Sequence, residues 1–509
     1  MNMSTKHISN KPNIVFIVTD QQRRDTLSCY DADTLCQTPN LDRLAAEGVV
    51  FDNAYASFPV CTPARASMQT GMYPFKHGMQ NNTYSPGCLV NELPQTDYLL
   101  SRQLKERAGY SVGHTGKWHL GQGPTDRDLF ERNLKYIEFP DMAAGNRSLP
   151  TDVGYEGDNF PGHGGGGWDY AQFRKYLVEQ GLELKIENRI SGHYGGHFGA
   201  EVTSPVETTV EHYITDRAMI HMDHFLEREE PFMMAIHYWG PHEPYIAPTD
   251  TLDLYRNVRI PPWRNFKDDG NAKPTIHNVK RSLVQEWETF EPFVKHYYAV
   301  MTHIDRQVGR IVQYLQDKGV YDDTVIMFCA DHGESLGIHG GLCDKGFFMY
   351  DETCRIPLIV KPAAGGGEGG RKVEHMVGTC DLYATLLCYA GISELHHGAD
   401  GRSLEPIVRG EPVADWPDAV VTEFTGLGSL LCSQRMIRMG NYKYVFNGGD
   451  IDELYDLKCD PYEMHNRIQD EEYAEVLRCM RLRLADWMEE HQDHLVVEYR
   501  LLRLRDVGV

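Results

Sequence analysis

The sequence has 509 residues, 41% hydrophobic and 24% charged, with a formal net charge of −23. That length exceeds one simple core and predicts a large domain joined to a smaller one. So acidic a chain repels phosphate-rich partners, which argues against nucleic acid and anionic membranes, and any anionic substrate would need a locally basic pocket.

The N-terminal stretch 1–12 is polar and lacks the charged, apolar and small-residue pattern of a secretory signal, so a cytoplasmic location is expected. No apolar run approaches the roughly twenty residues of a membrane helix. The 12 cysteines include no Cys-x-x-Cys pair, so a structural zinc site is not expected, and most read as small core residues.

In chain order, residues 13–19 form an apolar, β-branched run that reads as a strand buried on both faces. It ends in Asp20 and Gln21. Residues 38–48 read as a helix opened by Thr38-Pro39 and stopped by Gly48. The stretch 154–199 is rich in Gly, His and Asn, with Gly162-His-Gly-Gly-Gly-Gly-Trp168 inside it, and reads as a long surface or rim loop. Residues 231–237 give another strand. Apolar residues at helical spacing, among them Val300, Ile304, Val308, Ile311 and Leu315, predict a helix over 293–318. Residues 324–330 form a further strand, ending in Asp331-His332-Gly333-Glu334, and 356–360 another. Residues 364–370 read as a flexible glycine-rich connection.

Strands alternating with helices predict an α/β sandwich with a mostly parallel central sheet over residues 1–410. From 411 to 509 the texture changes. Short strand candidates at 418–423, 434–438 and 442–446, then a helix over 472–490, predict a smaller subdomain with an antiparallel sheet.

Functional groups gather at strand carboxyl ends in open α/β sheets. Asp20, Gln21, Asp331 and His332 could thus converge on one cation, and an oxygen-rich set favours Ca²⁺ or Mg²⁺. Alone, an Asp after a strand is more often a helix cap or turn residue.

One constellation is far more specific. Cys61-Thr-Pro-Ala-Arg65, followed by Thr70-Gly71, reproduces a Cys-x-Pro-x-Arg signature, and here the chain resembles the sulfatase family. The segments 13–20, 38–42, 51–55, 109–119, 240–244, 331–334, 345–357 and 454–463 with Asn466 match it in order, over nearly the whole chain. The resemblance implies an alkaline phosphatase-like fold and hydrolysis of sulfate monoesters. It implies that a separate formylglycine-generating or anaerobic sulfatase-maturing enzyme oxidises Cys61 to formylglycine, whose hydrate attacks sulfur and then expels sulfate. A serine there would be trapped as a stable sulfate ester.

The family's roles carry over residue by residue. Arg65 would hold the formylglycine and neutralise its oxyanion. Lys117 would bind sulfate and His119 assist deprotonation; two apart in an extended segment, they would share one face. His242 and Lys345 would contact sulfate and protonate the leaving oxygen. Asp20, Asp331, His332 and residue 61 would bind the metal, Ca²⁺ or another divalent cation such as Mg²⁺. Gln21 stands where many members have Asp and reads either as a ligand or as a partner behind the ligands. Position 64 is Ala where many members carry Ser.

Two other classes compete. Phosphonate or phosphate ester hydrolases of the same fold place uncharged groups where Lys117 and His119 stand. A non-catalytic, sugar-binding relative would have lost a ligand or the nucleophile. The long polar rims 152–199 and 245–280, with Trp168 and Trp263, suit a sulfated small molecule or saccharide as substrate, although core packing accounts for a lone Trp equally well.

Overall fold

The computed structural model describes residues 11–504 apart from 86, 122–147, 161–165, 169, 192–197 and 284–285. The N-terminal reading over 1–10 and the residues Gly162 to Gly165 therefore lie outside the described residues.

Eight strands make the main sheet. In chain order they are β1 (Asn13–Thr19), β2 (Val49–Tyr55), β3 (Ser111–Gly116), β4 (Glu156–Gly157), β5 (Phe232–His237), β6 (Thr324–Ala330), β7 (Leu358–Lys361) and β8 (Arg371–Gly378). Their spatial order is β8-β2-β7-β6-β1-β5-β3-β4. All neighbours run parallel except β7, which is antiparallel to both β2 and β6. The apolar run expected over 356–360 is thus a strand, but it points the other way.

Side chains alternate across a strand, and β1 shows what that does. Val15 and Ile17 join one core with Leu41 and Leu44 of α1 (Pro39–Glu47). Ile14, Phe16 and Val18 join the opposite core with Ala66 and Met68 of α2 (Cys61–Thr70) and Leu100 and Leu104 of α3 (Leu100–Ala108). Two long helices, α4 (Val210–Leu226) and α5 (Trp287–Asp317), complete the first layer, and α6 (Thr379–Tyr389) belongs to the second. A sheet covered on both faces explains why its central strands are apolar throughout. The helix expected from 293 starts at Trp287 and carries Pro292 within it.

The register sets the site. Thr19 lies opposite Ala330, Val18 opposite His237, and Gly116 opposite His237. Asp20, Asp331 and Lys117 therefore leave neighbouring strands at one edge.

Residues 154–199 are not one loop. They contain a helix, Ala171–Glu179, and strands Ile186–Ser191 and Phe198–Val202, which form a small sheet with Tyr245–Pro248. Toward the C-terminus, β9 (Ala419–Leu427), β10 (Leu430–Met439), β11 (Tyr442–Asn447) and β12 (Glu453–Asp456) form an antiparallel meander. On one face Val421, Ile437, Tyr444 and Phe446 pack with Met480, Leu484 and Trp487 of α7 (Ala474–Glu490). On the other, Val420, Phe424, Met436 and Val445 share a core with Phe58 and Val60, the residues just before Cys61.

Thr38 does not cap α1 with its side chain. Asp305 of α5 does so from a distance: its carboxylate accepts the N–H of Asn40 at 3.2 Å and of Leu41 at 2.7 Å, plus the Asn40 amide at 2.8 Å. Asp305→Ala is expected to cost about 1–3 kcal/mol of stability, since it orphans helix-end donors. Denaturant titration checks this, and a stability within about 0.5 kcal/mol of wild type would contradict it.

Candidate active site

Cys61 opens α2 after an extended Val60, and all residues of that helix are buried. Asp20, Asp331 and His332 arrive from the ends of β1 and β6. One ligand atom from each, with the Cys61 Sγ, lies within 4.8 Å of every other. The Sγ is 3.2 Å from His332 Nε2 and 3.6 Å from Asp20 Oδ1.

Arg65 sits one helical turn beyond Cys61 and so shares its face. Its Nε donates to Asp331 Oδ2 at 2.9 Å and its Nη2 to Asp20 Oδ2 at 2.9 Å. Its Nη1 donates to the Lys117 carbonyl at 3.0 Å and meets His237 Nδ1 at 3.1 Å. The two carboxylates are thereby locked against one fully buried guanidinium.

Lys117 Nζ lies 2.7 Å from Asp20 Oδ2 and 3.8 Å from Cys61 Sγ. Lys345 Nζ lies 2.9 Å from His242 Nε2, which is 3.9 Å from Asp20 Oδ1. The expected cations and the expected ligands thus meet in one place.

Burial disfavours charge on every one of these groups, and their neighbours decide which stay charged. Burial opposes ionisation of Asp20, but Lys117, His242 and Arg65 hold its carboxyl well below the usual range. Burial likewise opposes an imidazolium at His242, yet the Glu243 carboxylate 2.9 Å from Nδ1 lifts it to about 9. For Lys345, Asp344 and other anions outweigh burial and keep the ammonium charged. Burial wins at His332, whose pKa falls despite Asp331. Its Nδ1 bonds the Gly333 carbonyl at 2.9 Å, so a neutral ring turns the Nε2 lone pair toward residue 61. An ionised Asp20 and a neutral His332 thus face a cationic side made by the protonated His242 and the charged Lys345.

One reading changes. Lys117-Trp118-His119 is not an extended strand. β3 ends at Gly116, and His119 has a φ of +57°, in the left-handed region, so two-residue alternation does not apply. His119 is buried in the site wall, where its carbonyl accepts the Thr62 hydroxyl at 2.7 Å. The Gln21 amide oxygen accepts from Lys345, and its amide nitrogen donates to Glu334 and to Asp344. Gln21 therefore faces the cationic side of the site. Trp263 is a packing residue: Arg23 lies 4.3 Å over its ring, its edge meets Trp287, and its N–H donates to the Leu336 carbonyl at 2.8 Å.

Two contributors had no role assigned from sequence. Glu334 accepts the N–H groups of Leu336 and Asp344, both at 2.9 Å, besides Gln21, and so fixes the loop that carries Lys345. Its position three residues past Asp331 was the available signal. His237 accepts from Arg65 because burial, together with His114 and Arg65, keeps it neutral; a His ending a strand that points at the site could have suggested it.

A family model described as Sulfatase matches residues 12–392, and one described as N-sulphoglucosamine sulphohydrolase, C-terminal, matches residues 337–490. The uncharacterized sulfatase YidJ of Escherichia coli (strain K12) is 29% identical over 494 residues, spanning 95% of this chain and 88% of that protein. The N-acetylglucosamine-6-O-sulfatase of Bacteroides thetaiotaomicron is 25% identical over 558 residues, spanning 96% and 88%. The solved structure of the phosphonate monoester hydrolase of Agrobacterium radiobacter superposes with a TM-score of 0.75 at 24% identity, covering 94% of this chain and 96% of that one. That last likeness establishes the shared fold and leaves the ester open.

Proposed function

The chain belongs to the sulfatase family, and from that premise we propose that it hydrolyses the sulfate monoester of a carbohydrate at Cys61, with Asp20, Asp331 and His332 holding a divalent cation beside it. The observation that carries this reading is the meeting of those four residues with Lys117, His242 and Lys345 in one buried site. The carbohydrate part rests on relatives such as the N-acetylglucosamine-6-O-sulfatase. No helix among the described residues is long and apolar enough to cross a membrane.

The donor set fits a hard cation only if residue 61 offers oxygen. Two carboxylates and a neutral imidazole leave the choice to the fourth ligand, and a thiolate would favour a softer metal. This supports conversion of Cys61 to formylglycine by a formylglycine-generating or anaerobic sulfatase-maturing enzyme. Ca²⁺ is the ion that best suits oxygen donors of mixed type, with Mg²⁺ next. The cation would supply Lewis-acid stabilisation of developing negative charge. The hydrated aldehyde would supply one hydroxyl to attack sulfur and another whose deprotonation lets sulfate leave.

The remaining work falls to side chains. Arg65 holds both carboxylates and borders residue 61, so the nucleophile is oriented before substrate arrives. Lys117 Nζ, 3.8 Å from the Sγ, is placed to neutralise sulfate oxygens. His242, protonated at neutral pH, is suited to give its Nε2 proton to the leaving alkoxide, and Lys345 beside it, which opposes charge on the ring, favours that transfer. His119, whose carbonyl is bonded to Thr62 beside residue 61, would accept the proton that the hydrate must lose. Gln21 would position Lys345, or turn its oxygen to the cation when one is bound.

A sulfate monoester carries one negative charge, and a phosphate monoester up to two. The test is kcat/KM for a sulfate, a phosphate and a phosphonate monoester sharing one leaving alcohol, with the sulfate expected to be fastest. Lys117→Ala should cut turnover of the sulfate by roughly 100- to 1,000-fold, the scale of losing one electrostatic stabiliser. A clear preference for the phosphonate would move the assignment to the phosphonate hydrolases of this fold.

A further inference from the structure

One cleft beside the site has no part in the chemistry described so far. It opens next to His242 and is lined by Trp168, Trp239, Glu211, Thr209, Ile246 and other, mainly aliphatic, residues. That lining, aromatic and aliphatic around one carboxyl, suits a small organic group at its mouth.

The glycine-rich run noted in the sequence ends here. Gly166 and Gly167 have φ of +81° and +83°. A Cβ on Gly166 would lie 2.1 Å from the Trp168 ring, and one on Gly167 would lie 2.9 Å from Val210 and 3.0 Å from the Trp239 ring. Glycine is required at both because the two indoles close in on the backbone.

Glu211, in the first turn of α4, puts a carboxyl into this mainly apolar wall. One of its oxygens lies against Gly240, which precedes the cis Pro241 and His242. A carboxylate has about four acceptor positions, so acceptor capacity remains toward the cleft. The residue as a whole is half-buried. Thr209 is already engaged: its hydroxyl donates to the Val206 carbonyl and accepts the His212 N–H as the helix cap. Burial raises the Glu211 carboxyl to about 7. A hydrogen-bond donor entering the cleft would offset that unfavourable burial.

We propose that this cleft receives the alcohol portion of the sulfate ester, and that Glu211 sets specificity by accepting a hydrogen bond from a ring hydroxyl of a sugar. The inference rests on the sulfatase reading and adds where the leaving group lies. With sulfate between Lys117 and Lys345, a leaving oxygen at His242 directs the rest of the alcohol into the cleft mouth. Trp168 and Trp239 give the ring an apolar wall, and Glu211 distinguishes a hydroxylated ring from a bare aromatic one.

The experiment uses the full-length enzyme, confirmed by peptide mass to carry the aldehyde at position 61. Wild type, Glu211→Gln and Glu211→Ala are compared on a panel of glucose, galactose and N-acetylglucosamine monosulfates and on 4-nitrophenyl sulfate. Glu211→Gln keeps the shape and an acceptor beside Gly240, so a merely structural role would survive it. Both variants should lose roughly 10- to 100-fold more kcat/KM on the best sugar sulfate than on the aryl sulfate, the scale of leaving a buried polar group unmatched. Equal losses on both substrates, or no loss in either variant, would overturn the role of Glu211. A wild-type enzyme that cleaves 4-nitrophenyl sulfate and no sugar sulfate would overturn the sugar subsite while leaving a sulfatase. Failure on every sulfate ester would overturn the sulfatase reading itself.

Discussion

Cys61→Ala is expected to abolish turnover, by roughly a million-fold, while the protein stays folded. Removing a covalent nucleophile costs on that scale because its partners act through it. The stability cost should be small, about 1–2 kcal/mol, since only one sulfur atom leaves a helix start whose backbone bonds are unchanged. Circular dichroism and thermal melting should therefore nearly overlay wild type. Cys61→Ser makes the sharper comparison. A serine hydroxyl could attack sulfur once, but has no second hydroxyl to drive sulfate out. It should accumulate a stoichiometric sulfate ester, seen as the mass of one SO₃ added to the peptide that contains residue 61. Active wild-type protein should show aldehyde at that residue. Full activity with an unmodified thiol in every molecule would end the mechanism.

Asp331 carries the second large effect, because it serves three partners at once. Its Oδ1 accepts the N–H groups of Gln21 at 3.0 Å and His332 at 2.8 Å, and its Oδ2 accepts Arg65 at 2.9 Å. Asp331→Ala leaves a buried guanidinium with one carboxylate fewer, which costs about 3–5 kcal/mol. Asp331→Asn keeps the shape and removes only the charge. Both should lose the divalent cation in elemental analysis and at least about a thousand-fold in activity, because an anionic ligand and its Lewis-acid partner go together. The pair of variants separates the causes. If Asp331→Asn melts near wild type and is still inactive and metal-free, the charge is what the chemistry needs. Stoichiometric metal and full activity in Asp331→Asn would remove Asp331 from the ligand set.

What was legible in the sequence follows from how each element is buried. β1 and β6 are buried along nearly their whole length, so their apolar runs announced them, and the acidic residues after them marked the site edge. β3 is as deeply buried, but Ser-Val-Gly-His-Thr-Gly carries no strand signal; it is a strand because its neighbours supply the ladder. β8, at the edge of the sheet, mixes charged and apolar residues without regular alternation and has a bulge between Val373 and Met376, and it followed a glycine-rich turn that drew attention away from it. The direction of β7 could not be read from composition, since a run as short as Leu-Ile-Val-Lys reads alike both ways. Contacts distant in sequence were out of reach altogether. Asp305 caps α1 across 265 positions, and Glu211 looks like an ordinary acidic residue in a first helical turn. The motif residues were legible because the family's signatures fix their spacing; how Lys117 and His119 are presented was not, since a left-handed residue breaks the strand's alternation.

The complete burial of α2 has a consequence for the order of events in the protein's biosynthesis. Cys61 has no accessible surface, and Thr62, Pro63, Ala64 and Arg65 are buried with it. A small ester can slip past a few side chains, but an enzyme that must grip the 61–65 segment as an extended peptide has no way in once Phe58 and Val60 are sealed against the C-terminal sheet. Any chemical conversion of Cys61 by another protein would therefore have to precede the packing of that sheet, whose strands, from Ala419 on, are synthesised long after the motif. The time available is the interval between emergence of the motif and arrival of residues 419–456, and slowing that closure should raise the fraction converted.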